Sequence, residues 1–569
     1  MNKVYRINLK TKAITEEAIK EEYLTFGNRG LISKVMTDEV DPKCDPLGPD
    51  NKMIIAMGLF SGTAVPTSNR LSVGGKSPLT GGIKEANVGG TIGYMFGQHG
   101  IKMIICEDQP ADDSWIILYV NREGTIQLLP ADQYLGLNNY VLVEKLKEDF
   151  NNDIAVLSIG VAGERLYRSA SLQATDFATG HPARSVGRGG LGALAGSKKI
   201  KAIIVEKPAE KAEVTYVDKE KFQAALKKMA KLVVEDPAVE IQRKVGTTGM
   251  LVSLTGPTGV LPVHNFSGEF FPKEKLDEIS ADRWLIDFEK NGSKAGLGCQ
   301  PGCLVRCSNA WNNSKKEFVT AGLEYETVAM IGPNCDISDM EFLMEADRFC
   351  DDIGIDTIEF GVAIGICMEA GKIAWGDIPA VKAAMQEMYD GTEFGNLLGD
   401  GAHATGVALN CRKIPTTKKQ AMAAYEPRNV KGNGVTFATS PMGADHTAGN
   451  TLRPFIDGTK KENAVNFSKE NQIVTCLADN MSCTFITGAL MTDPTIVPDL
   501  MAGLYGGEWN MDKVIGIGAQ TLMMERAYNK AVGFTDADDL LPEFFYKEKS
   551  PATGAIFDIT PEEMKEAYN

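Results

Sequence analysis

Three cysteines, Cys299, Cys303 and Cys307, recur at every fourth residue in GLGCQPGCLVRCSNAW, residues 296 to 311. Thiolates are soft ligands that suit structural zinc or an iron-sulfur cluster, and either site usually takes four ligands, so this run needs one more. Farther along, IVTCLADNMSCTF supplies Cys476 and Cys483. The spacing itself leaves the metal open. It disfavours a radical S-adenosylmethionine cluster, whose usual run is C-x3-C-x2-C. Most of the other cysteines read as small buried hydrophobes.

Two glycine-rich segments could grip anions. PTSNRLSVGGKSPLTGGIKEANVGG, residues 66 to 90, and HPARSVGRGGLGALAGSKKIKAI, residues 181 to 203, each set arginine beside glycine. Glycine lets backbone N–H groups come close to a ligand, and arginine offers a planar fork to phosphate oxygens. Two such loops imply two anionic groups. GRGGLG imitates a dinucleotide fingerprint, but Glu206 ends its own strand and Glu210 lies beyond it, so no acidic residue fits the ribose role.

Acids and bases are few. Only five histidines are present, and His446 lies in TSPMGADHTAGN, a loop of small residues with little need of an imidazole for packing. EYET sets Glu324 and Glu326 two residues apart, and in an extended segment both would face one side. A carboxylate and an imidazole near a metal are what proton-coupled oxidation requires.

The elements that must position these residues follow from patterning. The segments NKMIIAMGLF, IKMIICE, SWIILYV, DIAVLSIG and KAIIVE read as strands within residues 1–210, and KPAEKAEV as the linker that follows. Beyond it helical periodicity takes over. Phe222, Leu226, Met229 and Val233 share one face of a helix, and Phe342, Ala346, Phe349 and Ile353 share one face of another. Ser338 with Glu341 suggests a capping box for the second, and Gly354 its end. CRKIPTTKKQ marks a further break. The expected fold is α+β, a β-rich domain at 1–210 followed by mostly helical domains at 211–415 and 416–569.

With 59 Lys and Arg against 75 Asp and Glu among 569 residues, the formal charge of −16 disfavours nucleic acid as a partner. No apolar run suggests a signal peptide or a membrane span, so a cytoplasmic location is expected. In such a reducing compartment clustered thiols point to metal or redox chemistry rather than disulfides.

Together the segments VYRINLKTKAI, SGTAVPTSNRLSVGGKSPLTGGIKEANVGG, SIGVAGERL, ARSVGRGGLGALAGSKKIKAI, EYETVAMIGPN, DDIGIDTI, YEPRNVKGNGVTFATS and DNMSCTF resemble the aldehyde:ferredoxin oxidoreductase family, tungsten or molybdenum bis-pterin enzymes. That resemblance implies a β-rich base carrying two pterins beneath helical domains. It implies Mg2+ bridging the pterin phosphates through the carbonyls of Asn87 and Ser185, with Arg70, Gly89, Arg184 and Arg188 around the cofactor. The family's two D-x-x-G-L-D/C turns map onto Asp351, Gly354, Ile355 and Asp356, and onto Asp479 and Cys483, the second turn being one residue short. One [4Fe-4S] cluster would take Cys299, Cys303, Cys307 and Cys483, at C-x3-C-x3-C where relatives commonly have C-x2-C-x3-C. Arg348 stands where some members have a histidine that binds iron across a dimer interface, so no such iron is expected and dimerisation by that route is in doubt; oligomerisation stays open. The implied reaction is oxidation of an aldehyde to a carboxylic acid, with Glu326 and His446 handling protons and electrons leaving to ferredoxin or an iron-sulfur subunit. Two alternatives remain: the catalytic subunit of a benzoyl-coenzyme A reductase-type complex, and a non-enzymatic structural-zinc protein.

Overall fold

The structure is a computed structural model that describes residues 3–568. The first 206 residues build two six-stranded sheets. One contains β1 (Lys3–Asn8), β2 (Ala13–Ala18), β3 (Met53–Met57), β4 (Leu71–Lys76), β5 (Ile83–Val88) and β6 (Ile101–Glu107), in the order β2-β1-β6-β3-β4-β5. The other contains β7 (Ile116–Val120), β8 (Ile126–Pro130), β9 (Ile154–Ser158), β10 (Leu172–Ala174), β11 (Arg184–Val186) and β12 (Ile200–Glu206), in the order β11-β10-β9-β12-β7-β8. All five segments read as strands from their apolar runs are strands here: β3, β6, β7, β9 and β12.

Those runs are continuously apolar because both faces of each strand are buried. Successive side chains of a strand point to opposite faces. In β3, Met53, Ile55 and Met57 enter the core between the sheets, while Ile54 and Ala56 enter a second core under the helix Asn28–Glu39. Strand β6 divides the same way, Ile104 and Cys106 against Met103 and Ile105. The outer face of the second sheet, Ile117, Val156, Ala202 and Ile204, packs on Leu142, Val143 and Leu146 of the helix Asn139–Asp149.

The rest of the chain is mainly helical, as expected, and its packing crosses the boundary expected at 415/416. The helix Lys219–Glu235 buries Phe222, Met229 and Val233 against Leu500 and Met501 of the helix Ile496–Tyr505. Phe544, Phe545 and Phe557 share a core with Tyr325 and Phe360. The helix Met340–Ile353 buries Phe342, Ala346, Phe349 and Ile353 and ends at Gly354, as its pattern indicates. Its start differs from the expectation: Asp339 is the cap, accepting from the Phe342 N–H at 3.0 Å, while the Ser338 hydroxyl donates to Glu278 instead. A carboxylate one residue nearer the helix serves equally as an N-cap and also suits its dipole. Among the described residues no single helix is long and apolar enough to cross a membrane.

Candidate active site

The four cysteines expected to act together lie together. Cys299 and Cys303 are hydrogen-bond neighbours, and each of Cys299, Cys303 and Cys307 lies within electrostatic reach of Cys483. Cys476 is elsewhere, buried beside Arg29, Glu525 and Asp479. Among the described residues, no three His, Cys, Asp or Glu side chains converge as ligands of a single ion.

The glycine-rich loops press directly on this group. Gly90 donates its N–H to the Cys299 carbonyl at 2.8 Å, and a Cβ on Gly89 would stand 3.1 Å from the Cys299 sulfur and 3.4 Å from Arg70 Nη1. Arg70 comes within 4.0 Å of the Cys299 sulfur and donates from Nη2 to the Asn87 carbonyl at 3.1 Å. Burial works against the Arg70 charge, but Cys483, Cys299 and Asp479 outweigh it and raise its pKa. On the other side, the helix Pro237–Thr258 breaks at Gly246, whose φ of +64° lets the backbone pass close to the Cys307 carbonyl.

Arg184 and Ser185, on β11, join the sheets to the helical region. Arg184 pairs with the buried Asp176 at 2.8 Å, donates to the Ser308 hydroxyl beside Cys307, and reaches Glu324 at 3.4 Å. The Ser185 hydroxyl lies 2.7 Å from Gln173 Oε1 and 3.3 Å from Asp351 Oδ1. Arg188 pairs with Asp356 at 2.9 Å and donates to the carbonyls of Ala444 and Ala421, each at 2.6 Å. The Asp351–Asp356 turn is anchored on the β-rich base: Ser171 N–H donates to the Gly354 carbonyl at 2.9 Å, and Ile355 bridges Ala170. Asp479 pairs with Arg29 at 3.1 Å, whose guanidinium also holds the buried Glu525.

His446 lies near enough to Glu326 for the imidazole to act electrostatically on the carboxyl. Glu326 is 8% exposed and accepts the Ala424 N–H at 2.8 Å. Burial raises its pKa, opposed by His446 and Arg188. Glu324 does not face the same way, contrary to the expectation from an extended EYET. The chain turns helical at Tyr325, Glu324 lies at the cap, and its carboxylate goes to Arg184 and Thr247. His446 Nδ1 lies 3.4 Å from Asp445, which Lys84 holds at 2.6 Å. Burial would raise the Asp445 pKa, yet Lys84, Arg188 and His446 hold it well below the usual carboxylate range. Arg348, at the position expected to lack an iron ligand, lies over the Tyr140 ring at 3.2 Å and donates to the Val319 carbonyl.

Sequence reasoning missed Lys84, Asp445, Arg29, Asp176 and Glu525. Lys84 lies within the first glycine-rich segment and Asp445 precedes His446, so proximity to those motifs was the available signal.

These residues suit a large anionic, sulfur-rich ligand. Buried Thr67 Oγ1, Gln300 Oε1 and Ser482 Oγ, on the segments that wrap the thiols, and His446 Nδ1 have no hydrogen-bond partner within the protein. Thiols, unpaired polar groups and arginines converging on one buried region fit an iron-sulfur cluster beside a phosphate-bearing cofactor.

Known proteins resemble this chain over nearly its whole length. Residues 4–207 match the model for the N-terminal domain of aldehyde ferredoxin oxidoreductase, and residues 224–569 match that for its domains 2 and 3. The tungsten-containing aldehyde ferredoxin oxidoreductase of Pyrococcus furiosus is 30% identical over 96% of this chain and 91% of its own length. An aliphatic sulfonate oxidoreductase, WOR-like subunit, of the same organism is 23% identical over 78% of this chain and 74% of its own. Among solved structures, the active-site complex BamBC of benzoyl coenzyme A reductase with 1,5-dienoyl-CoA superposes with a TM-score of 0.79 at 16% identity, covering 100% of this chain and 93% of that one. The chain belongs to the aldehyde ferredoxin oxidoreductase family and is an oxidoreductase of that tungstopterin class.

Proposed function

We propose that the protein oxidises an aldehyde to a carboxylic acid on a tungsten or molybdenum bis-pterin. Cys299, Cys303, Cys307 and Cys483 would hold one [4Fe-4S] cluster, and a ferredoxin-type carrier would be the electron acceptor. The observation that supports this reading is the gathering of Cys299, Cys303, Cys307 and Cys483 beside the buried Arg70 and the glycine-rich loop. When bound, the metal supplies a two-electron acceptor and the cluster a one-electron exit.

The chain's own residues handle binding and protons. Arg70 and Arg184 offer guanidinium forks to phosphate oxygens, and the carbonyls of Asn87 and Ser185 are the proposed Mg2+ ligands. Asp351, Asp356 and Asp479 are proposed to accept hydrogen bonds from pterin N–H groups. Conversion of an aldehyde and water to an acid releases two protons with the two electrons. Glu326 as carboxylate takes the proton of the water that adds to the carbonyl carbon, and His446 receives the second. Asp445, held ionised by Lys84 and 3.4 Å from His446 Nδ1, favours the imidazolium that then forms.

Because burial raises the Glu326 pKa and the carboxylate is the active form, turnover is expected to rise with pH through that raised value. Glu326→Gln should lower kcat by about 100-fold or more and remove this acid limb while metal and pterin contents stay constant. Retained turnover in Glu326→Gln, measured as a pH–rate profile, would exclude the carboxylate as the base.

The whole reading is tested by metal and pterin analysis of protein prepared without oxygen, followed by an aldehyde panel run beside aromatic coenzyme A thioesters. About four irons per chain with tungsten or molybdenum and pterin, and turnover of aldehydes, is the expected result. Zinc without pterin, or turnover of the thioester alone, overturns it.

A further inference from the structure

We propose that the cysteine loop is also a docking face, on which Arg306 and Arg243 receive a small acidic one-electron carrier of the ferredoxin type. This rests on the reading that the four thiols hold a redox cluster. An electron can leave only where a carrier approaches the thiolates, and the exposure around them is one-sided. Cys299 is buried at 9% exposure, whereas Cys303, Cys307 and Cys483 are only partly buried. Gly302 and Arg306 are exposed, and Phe485, next but one to Cys483, is 37% exposed. The outward side of the thiol group is therefore formed by the loop 302–306 and by Phe485.

The charge on that side runs against the rest of the molecule. The chain carries a formal −16, yet this loop is flanked by Arg306, Arg243 and Lys244. Arg243 Nη2 is tied to the Leu304 carbonyl at 3.0 Å, which fixes that side chain against the loop between Cys303 and Cys307. Glu240 pairs with Lys244 at 2.7 Å and also interacts electrostatically with Arg243. Among the described residues neither Arg306 nor Arg243 forms an ion pair. Arg306, exposed and without an ion pair beside a group of thiols, with Arg243 behind it on an acidic protein, suits an acidic partner by charge complementarity.

The backbone adds a second observation. Arg306 adopts φ +56°, a left-handed conformation unfavourable to an arginine, and its N–H donates to the Cys303 sulfur at 3.3 Å. The strain is explained by the sulfur contact. It also sets the arginine at the exposed crest of the loop. Phe485, two residues beyond Cys483 and 37% exposed, supplies an apolar side chain beside the thiols. A small apolar centre with a charged rim is the make-up of a weak, fast-exchanging interface rather than a permanent one.

The test uses anaerobically prepared holoenzyme and an acidic bacterial two-cluster ferredoxin as the probe. Arg306→Glu and Arg243→Glu should each slow ferredoxin association by about 10-fold at low ionic strength, the difference closing at high salt. The binding is read by surface plasmon resonance. Iron content, the reduced-cluster EPR signal and aldehyde-dependent reduction of methyl viologen should match wild type, so a missing cluster would be recognised separately as failure of the underlying reading. If Arg306→Glu loses iron, Arg243→Glu alone decides. Unchanged association in an iron-replete variant overturns the proposal. So does an iron-sulfur subunit that co-purifies in equal amount and cross-links to this face.

Discussion

Two helices reach the candidate site with an aspartate in their last turn, and they end differently. Met340–Ile353 closes on Gly354 at φ +81°, which lets the N–H groups of Gly354 and Ile355 both donate to the Cys350 carbonyl, at 3.0 and 2.9 Å. Ala464–Met481 closes without a glycine. Ser482 N–H returns to the Ala478 carbonyl at 2.8 Å, and an extended backbone at φ −167° delivers Cys483 to the thiol group. A carboxylate at a helix C-terminus opposes the dipole, and burial makes it worse. Burial together with Asp347 pushes Asp351 well above the carboxylate range, and its near contact is the Ser185 hydroxyl. Burial also raises Asp479, but Arg29 limits the rise to about 6. One end is built from backbone geometry and the other from charge, and the charged end is the one that leads into Cys483.

The largest effect should come at the thiol itself. Cys483→Ser is expected to remove the cluster, with iron falling to a small fraction of the wild-type content and the reduced-cluster EPR signal lost. Cys476→Ser, on the same helix but beside Arg29 and Glu525, should keep both. Iron analysis of the pair decides the fourth ligand, and a full iron complement in Cys483→Ser would refute the assignment.

Next in size is the charge that supports this end. Arg29 is 2% exposed and holds Glu525 through two hydrogen bonds, at 2.8 and 2.9 Å, besides its contact with Asp479. Arg29→Met would leave two buried carboxyls without a cation, a loss of about 3–5 kcal/mol. Ser185→Ala, which takes the hydroxyl from Asp351, should cost about 1 kcal/mol. Adding Glu525→Leu to Arg29→Met should restore part of the loss, since replacing a whole buried pair by apolar groups is far milder than splitting it. Equal denaturation midpoints for Arg29→Met and Ser185→Ala would contradict the division between the two ends.

The sequence exposed the first end more fully than the second, for a physical reason. Gly354 is legible because a left-handed residue at a helix end calls for glycine, and the apolar stripe of Phe342, Ala346, Phe349 and Ile353 points straight to it. Asp479 and Cys483 were legible only through their motif. What positions them is Arg29, whose two carboxylate partners lie some 450 and 496 residues away along the chain, and no local pattern encodes such a pairing. Lys84 with Asp445 is the same case, 361 residues apart. Cys299, Cys303, Cys307 and Cys483, and Glu326 and His446, stand out in the sequence because few residue types offer soft ligands or proton transfer. The shared orientation of Glu324 and Glu326 was misread because a period of two holds only in a strand, and a helix begins at Tyr325.

The smallest expected effect is the sharpest test of backbone against charge. A methyl group at Gly354 would be forced into the left-handed region and would meet Gly160 N at 3.1 Å and Asn139 Nδ2 at 3.2 Å. Gly354→Ala should therefore cost about 1–3 kcal/mol. Ser482 is extended, where any residue fits, and its buried hydroxyl has no partner within the protein, so Ser482→Ala should change stability by less than about 0.5 kcal/mol. Chemical denaturation of the two variants in parallel reads the difference. If Ser482→Ala were the more damaging, its hydroxyl would have to bind something essential to folding, and the second helix end would be held by a ligand as well as by Arg29.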